Sequence, residues 1–185
     1  MKSTLYTVLI VSIAIISFLP KNGIAQKKKA KNNEVQVQTP NFNYDDKTQL
    51  ITYVGSYSSN GTSIELYNKA MEWFKSNFKN SGSLIKERND GSSFTAKPRF
   101  RTFSILESGQ KFPGDIISYT LHLSFSDGNY NFRIDKINIK NPSYLGLEKW
   151  DAENKVKYVK HYAEGLAQSD EEIQRVIKSL KEAMK

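Results

Sequence analysis

Hydrophobic residues recur with helical spacing from Thr62 to about Phe78, between two segments whose alternation is typical of strands. Thr62-Ser63-Ile64-Glu65 is a capping box, and Asn80-Ser81-Gly82 contains residues that tolerate a left-handed backbone at a helix end. The apolar stripe is wide enough to pack against a sheet. It consists of Ile64, Tyr67, Ala70, Met71, Phe74 and Phe78. The pattern therefore predicts a long amphipathic helix whose aromatic face belongs to the core.

Five strands are predicted around this helix. They span Gln49–Tyr57, Leu84–Arg88, Ser93 to about Ile105, Ile117–Phe125 and Tyr130–Ile139. Asn89-Asp90-Gly91 and Asp127-Gly128 are hairpin turn signals. Pro98 cannot donate to a ladder, so it indicates an edge or a bulge in the third strand. The apolar positions of the last strand change parity after Ile134, which predicts a bulge near Asp135-Lys136.

The end of the chain is predicted to be helical. One helix carries Val156 to Leu166, and a second capping box, Ser169-Asp170-Glu171-Glu172, opens a last helix that ends near Met184. The predicted fold class is α+β. It has an antiparallel five-stranded sheet in β-α-β-β-β-β-α order, with helices on one face and an additional C-terminal helix.

The first 25 residues have the pattern of a signal peptide. An apolar run from Ser3 to Pro20 is shorter than the roughly 20 residues that a membrane-spanning helix needs. Gly23 and Ala25 provide the small residues that a signal peptidase requires, which places cleavage between Ala25 and Gln26. An uncleaved anchor is the alternative. We expect a periplasmic or secreted protein and, because the chain has no cysteine, neither a lipoprotein nor disulfides.

Residues 26–47 are predicted to be a basic, polar, disordered linker, and residues 48–185 a single domain. The formal net charge of the chain is +8. Four lysines follow the predicted cleavage site directly: Lys27, Lys28, Lys29 and Lys31. After them the chain has 21 bases against 19 acids, so the excess charge belongs largely to this tail. The tail is either a tether to an anionic lipid or polysaccharide surface or a solvated leader.

Three motifs, in order, resemble a known family. The helix carries Tyr67, Ala70, Trp73 and Phe74; Ser118-Tyr119-Thr120-Leu121 follows on a strand; and the Asp127-Gly128 turn precedes an aromatic strand with Tyr130 and Phe132. The chain from Gln49 to Ile139 resembles the bacterial domain-of-unknown-function family 4468, which has a TBP-like fold and consists of exported proteins of gram-negative bacteria. The resemblance implies a fold and a compartment. It implies no catalytic residue, since the family has no established activity.

The binding hypothesis concerns the sheet face that the helices leave open. An antiparallel sheet backed by helices on one side presents its other side to water or to a partner. The candidate binding residues on that face are Lys97, Arg99, Arg101, Thr120, His122 and Arg133. Such a surface suits an envelope protein, a glycan or an anionic lipid surface, and we expect a non-catalytic binding module.

Two alternatives remain open. A hydrolase-like enzyme could use His122 with neighbouring Ser118, Thr120 or Ser124. However, residues two apart on one strand lie roughly 7 Å apart, and no nucleophile-elbow sequence is present. Binding of nucleic acid or another anion through the sheet is the second alternative, although we expect no nucleic acid for an exported domain without a basic excess. The chain has only two histidines, so we expect no cofactor and no metal site.

Overall fold

The computed structural model describes residues 36–106, 108–140 and 144–185. The predicted signal peptide and the lysine tail (Lys27, Lys28, Lys29 and Lys31) lie outside the described residues.

Helix α1 (Ser63–Asn77) begins at the predicted capping box. The Thr62 amide donates to Glu65 Oε2 at 2.7 Å, and the Glu65 amide donates to Thr62 Oγ1 at 3.4 Å. Asn80 adopts φ 55°, which confirms a left-handed residue after the helix, and the short helix α2 (Ser81–Leu84) follows. The predicted apolar stripe is wrong at its first position, because Ile64 is 63% exposed. The buried face consists of Leu66, Tyr67, Ala70, Met71, Trp73 and Phe74.

The described strands form one antiparallel sheet. They are β1 (Tyr53–Ser58), β2 (Ile85–Asn89), β3 (Ser93–Ala96), β4 (Arg99–Ile105), β5 (Lys111–Ser126), β6 (Asn129–Lys140) and β7 (Tyr144–Gly146). The order across the sheet is β1-β6-β5-β3-β2, while β4 also pairs with β5 and β7 with β6. The α+β class is confirmed, but the prediction of five strands is wrong. The predicted third strand divides at Lys97-Pro98 into β3 and β4, because proline has no amide to continue a ladder.

Strand β5 is the centre of the sheet. It pairs with β3 and β4 along one edge and with β6 along the other. The register with β6 shifts between Ser118 and Thr120, and Lys136 adopts φ 49° at this point. The bulge predicted near Asp135-Lys136 is therefore confirmed. Beyond it, Ile137 and Ile139 return to the buried face.

Two C-terminal helices follow, with different bounds from those predicted. Helix α3 spans Leu147–Val156 and helix α4 spans Lys160–Ala183. The predicted helix start at Ser169 is wrong, since Ser169 lies buried inside α4 and its hydroxyl donates to the Gly165 carbonyl at 2.7 Å. A serine that bonds four residues back satisfies its hydroxyl within the helix, so it does not act as a cap.

The core lies between one face of the sheet and the helices. Phe94, Leu121, Leu123 and Ile134 point from the sheet towards α1 and α4, and each is at most 2% exposed. The fold begins before residue 48, the predicted domain start: Phe42 is buried in the core and Tyr44 forms a bridge with Ile51. Residues 36–47 are therefore part of the fold and not a disordered linker. In the described part of the chain, every helix is too short or too polar to cross a bilayer.

Candidate anion site on the open sheet face

A basic cleft lies on the sheet face that the long helices α1 and α4 leave open, beside the short helix α2. It has a volume of about 510 Å³ and is lined by residues from α2, β2, β4, β5, β6 and β7 and by Lys97 of the β3–β4 junction. Five of the lining side chains are cationic and exposed: Lys86, Lys97, Arg99, Lys136 and Lys140. No acidic side chain is part of the lining. Below we call this site the basic cleft.

Strand pairing sets the geometry of the basic cleft. Arg99 pairs with Ser118 on β5, and Ser118 pairs in turn with Asn138 on β6, so the three side chains form one row across the sheet. Neighbouring strands lie about 4.8 Å apart, so the strands of Arg99 and Asn138 are about 10 Å apart. Ser118 and Thr120 therefore form a hydroxyl floor between two cationic walls. Thr120 is only 3% exposed.

The wall formed by β6 depends on the bulge. Lys136 has a left-handed backbone, which is unfavourable for any residue with a Cβ atom. The side-chain Nδ2 of Asn138 donates to the Lys136 carbonyl at 2.6 Å, next to the bulge. As a result Lys136, Asn138 and Lys140 all lie on the open face, while Ile137 and Ile139 are buried.

Arg101 lies on the same face but outside the lining of the basic cleft. It pairs with Ile116 across β4 and β5, and its Nη1 donates to the Gly114 carbonyl at 3.2 Å. Of the six predicted binding residues, the cleft therefore brings together Lys97, Arg99 and Thr120.

His122 and Arg133 belong to a separate network with two carboxylates. Arg133 Nε donates to Asp135 Oδ2 at 2.8 Å, and both Arg133 Nη atoms lie 3.2 Å from Asp45 Oδ2. His122 Nε2 lies 3.3 Å from Asp135 Oδ1. The hydrogen bond to Asp135 raises the pKa of Arg133. Both side chains are held by these carboxylates and lie outside the cleft lining, so the predicted patch of six residues is not continuous.

The same network bears on the hydrolase alternative. Thr95 Oγ1 lies 3.2 Å from His122 Nδ1, which forms a Thr–His–Asp line together with Asp135. A catalytic triad needs donors for the oxyanion and a carboxylate that serves the histidine. Here Arg133 also holds Asp135, the line lies on an open strand surface, and His122 is not part of the cleft lining. The arrangement fits a hydrogen-bond network that fixes strand register.

Sequence reasoning missed Lys86, Lys136 and Lys140 as members of the site. Their grouping with Arg99 requires the order of strands in the sheet, which the sequence pattern does not contain. One available signal was overlooked: Arg133 and Asp135 are two apart on a strand, so they share a face and pair. Among the described residues, no group of three or more His, Asp or Glu side chains is arranged to hold a metal ion.

Comparisons with known proteins show the fold. Two solved structures are similar. A TBP-like protein from Parabacteroides distasonis ATCC 8503 has a TM-score of 0.56 and 15% identity, over 73% of this chain and 92% of that one. A DUF4468 family protein from Bacteroides ovatus ATCC 8483 has a TM-score of 0.55 and 12% identity, over 75% of this chain and 90% of that one. No curated protein matches the chain.

The match to a family model covers the centre of the fold. Residues 57–140 match the family described as domain of unknown function (DUF4468) with TBP-like fold. This range extends from the end of β1 to the end of β6 and contains all five cationic side chains of the basic cleft. The resemblance drawn from the sequence motifs is confirmed over residues 57–140, where the chain matches this family model, and the two similar structures show the TBP-like fold.

Proposed function

We propose that this protein is an exported, non-catalytic binding module whose basic cleft holds a multiply charged oxyanion, such as a phosphate group. One observation carries the proposal: five cationic side chains and no acidic one line a single cleft. Like charges held together are unfavourable unless a counter-charge binds between them. An anion in the cleft would relieve this repulsion.

The cleft also contains neutral polar side chains. Ser118, Thr120, Asn138 and Tyr144 line it together with the cations. Charge-assisted hydrogen bonds from Lys and Arg to oxyanions are stronger than neutral ones, and an Arg guanidinium can donate two parallel bonds. Because the cations sit on or directly beside paired strands, little backbone ordering is needed when a ligand binds.

None of the five cations forms a salt bridge with a described residue. Lys86 donates to the Ser83 carbonyl at 2.9 Å. By contrast, the nearby Arg133 is already paired with Asp135 and Asp45. This difference supports the cleft over the Arg133 network as the place where an outside anion binds.

Calorimetric titration of the full chain with pyrophosphate, at low and high salt, tests the proposal. We expect the double variant Arg99→Gln/Lys136→Gln to weaken binding by about tenfold or more, since each charge-assisted bond contributes about 1.5–3 kcal/mol. The matched control is Lys75→Gln/Lys178→Gln, which removes the same charge from exposed lysines on α1 and α4. The control should retain wild-type affinity.

Two outcomes would contradict the proposal. One is the absence of pyrophosphate binding at low salt. The other is an equal loss of affinity in the cleft variant and the control, which would mean that only net charge matters. A second titration, with vesicles whose lipids carry phosphorylated headgroups, distinguishes binding to a lipid-borne phosphate from binding to a free one.

A further inference from the structure

Strand β1 forms one edge of the sheet and pairs with β6 alone. The Ser59 amide donates to the Gly128 carbonyl at 2.9 Å, on the side of β6. The Thr52 amide donates to the Asn43 carbonyl at 2.9 Å. Because successive residues of a strand direct their backbone groups to alternate sides, Thr52 and Ser59 face opposite sides, and Asn43 lies on the side away from β6.

The same alternation directs the backbone groups of Val54, Ser56 and Ser58 away from β6. In the part of the chain that the structure describes, no residue bonds to their N–H and C=O groups. We call this side of β1, at Val54, Ser56 and Ser58, the free edge. It is bounded by Asn43 at one end and by the turn at Ser59 at the other.

The free edge carries no charge. Strand β1 has the sequence Tyr-Val-Gly-Ser-Tyr-Ser, and Val54 is 65% exposed. Sheet edges are commonly protected from further pairing by charged side chains, proline or a bulge. Strand β2, at the other end of the strand order, has this protection in its exposed Lys86, Glu87 and Arg88. Strand β1 lacks it, so a further strand can pair there.

A second copy of β1 matches the free edge in an antiparallel register centred on Ser56. In this register Ser56 faces Ser56 of the second copy, and Val54 faces Ser58. All three outward-facing residues then lie in hydrogen-bonded pairs, each of which exchanges two bonds, so about six backbone bonds form. A shift by two residues in either direction loses one of these pairs, because the chain leaves the edge at Asn43 and at Ser59.

The side chains also fit this register. On the face towards the helices, Tyr57 of one copy lies opposite Gly55 of the other. Side chains approach most closely in such non-hydrogen-bonded pairs, and a glycine opposite an aromatic ring avoids a collision. Gly55 is already covered within its own chain, since a Cβ atom there would lie 2.5 Å from Phe132 Cε1. On the open face Val54 meets Ser58, and no like charges oppose each other.

We propose that two copies of this chain associate through the free edge, so that their sheets form one continuous antiparallel sheet across a two-fold axis at Ser56. A second copy is favoured over an unrelated extended peptide because the same uncharged strand provides complementary groups on both sides of the axis. No residue of β1 lines the basic cleft, so this interface is separate from the cleft and does not depend on anion binding.

The test uses cysteine cross-linking, because the chain has no cysteine of its own. Ser56→Cys places two thiols face to face across the axis, with Cα atoms about 5.5 Å apart, which is within disulfide range. Val54→Cys alone places them roughly 14 Å apart along the strand, which is out of reach. Ser124→Cys is the matched control, because Ser124 is exposed on β5 inside the sheet.

Under mild oxidation we expect Ser56→Cys to form a covalent dimer and Val54→Cys to remain at the level of the control. A mixture of Val54→Cys and Ser58→Cys should cross-link, because these positions face each other. In sedimentation, Ser56→Lys should raise the dissociation constant of the dimer by about fivefold or more, since two lysines meet at the axis. Ser124→Lys should leave it unchanged. The full chain and a chain that starts at Gln26 are both measured.

Three results would overturn the proposal. The first is a monomer at every concentration, with Ser56→Cys cross-linked no more than Ser124→Cys, which would leave the free edge to another segment or to an unrelated strand. The second is equal cross-linking of Ser56→Cys and Val54→Cys, which would exclude the register. The third is a dimer that Ser56→Lys leaves intact, which would place the interface elsewhere. Thermal unfolding of each variant checks that it is folded, and all replaced side chains are exposed.

Discussion

Lys136 combines a strained backbone with a position in the basic cleft. Its φ of 49° lies in the left-handed region, which costs an L-residue roughly 1–2 kcal/mol. Strain of this kind persists only where the surrounding structure enforces it, and it is common at functional sites. Here the bulge it creates turns Lys136, Asn138 and Lys140 towards the cleft, so the strain supports the arrangement of the site.

Replacing Lys136 separates the backbone requirement from the charge. We expect Lys136→Gly to change the free energy of unfolding by less than about 1 kcal/mol, because glycine adopts φ > 0 without steric cost. Lys136→Val should lower it by about 1–2 kcal/mol, because a β-branched residue is disfavoured there. Urea denaturation measures both. Equal stabilities of the two variants would show that the backbone at this position is not strained.

At the level of helices and strands, the sequence pattern predicted caps, turns and bulges that a few neighbouring residues determine. The capping box of α1, the Asp127-Gly128 turn and the bulge at Lys136 all follow from residues next to one another. The start of helix α4 could not be predicted from local signals. Ser169-Asp170-Glu171-Glu172 has the pattern of a capping box, but Ser169 is buried inside the helix and its hydroxyl donates to the Gly165 carbonyl. Burial against the sheet overrides the local preference, and burial depends on tertiary structure.

The contact between α3 and α4 depends on a glycine. A Cβ atom at Gly165 would lie 2.3 Å from Trp150 Cζ3. We therefore expect Gly165→Ala to lower the free energy of unfolding by about 1–3 kcal/mol, despite the higher helix propensity of alanine. The matched control is Gly82→Ala in α2, where nothing lies within 4 Å of the added Cβ. Denaturation in urea compares the two, and a stabilising effect at position 165 would mean that Trp150 moves freely.

Across the whole molecule, the candidate site could be predicted only in part. The pattern of β3 and β4 placed Lys97 and Arg99 on the open face, because alternation along a strand determines the face. The alternation pattern did not show which side chains lie next to Lys97 and Arg99. Lys136 and Lys140 lie near them only because β5 pairs with both β4 and β6. Strand order is a non-local property and has no signature in a single sequence.

Asp45 connects the segment before β1 to the sheet, and it gives the molecule an acid-sensitive contact. Its carboxylate accepts hydrogen bonds from the Thr48 amide and hydroxyl, both at 2.9 Å, and from Arg133. These bonds, chiefly that of the Thr48 amide, lower the pKa of Asp45 from 3.8 to about 2. The folded pKa is below the unfolded one, so this stabilisation is complete above pH 3.8 and is lost as the pH falls to about 2.

We expect Asp45→Asn to reduce the loss of stability between about pH 4 and pH 2, because the variant has no carboxylate to protonate there. The measurement is the urea midpoint as a function of pH, with Asp46→Asn as the neighbouring control. Identical pH slopes for Asp45→Asn and the wild type would refute this assignment.

The pairing of β1 with β6 determines when the chain can fold. Tyr53 is matched with Ile134, and β3 and β4 both require β5 as their neighbour. The early strands therefore have no central partner until β5 and β6 have been synthesised. Proteins dominated by such distant contacts fold more slowly than helical proteins of similar size. The core can close only after residue 134 has emerged, so the nascent polypeptide remains without a complete sheet for most of its synthesis.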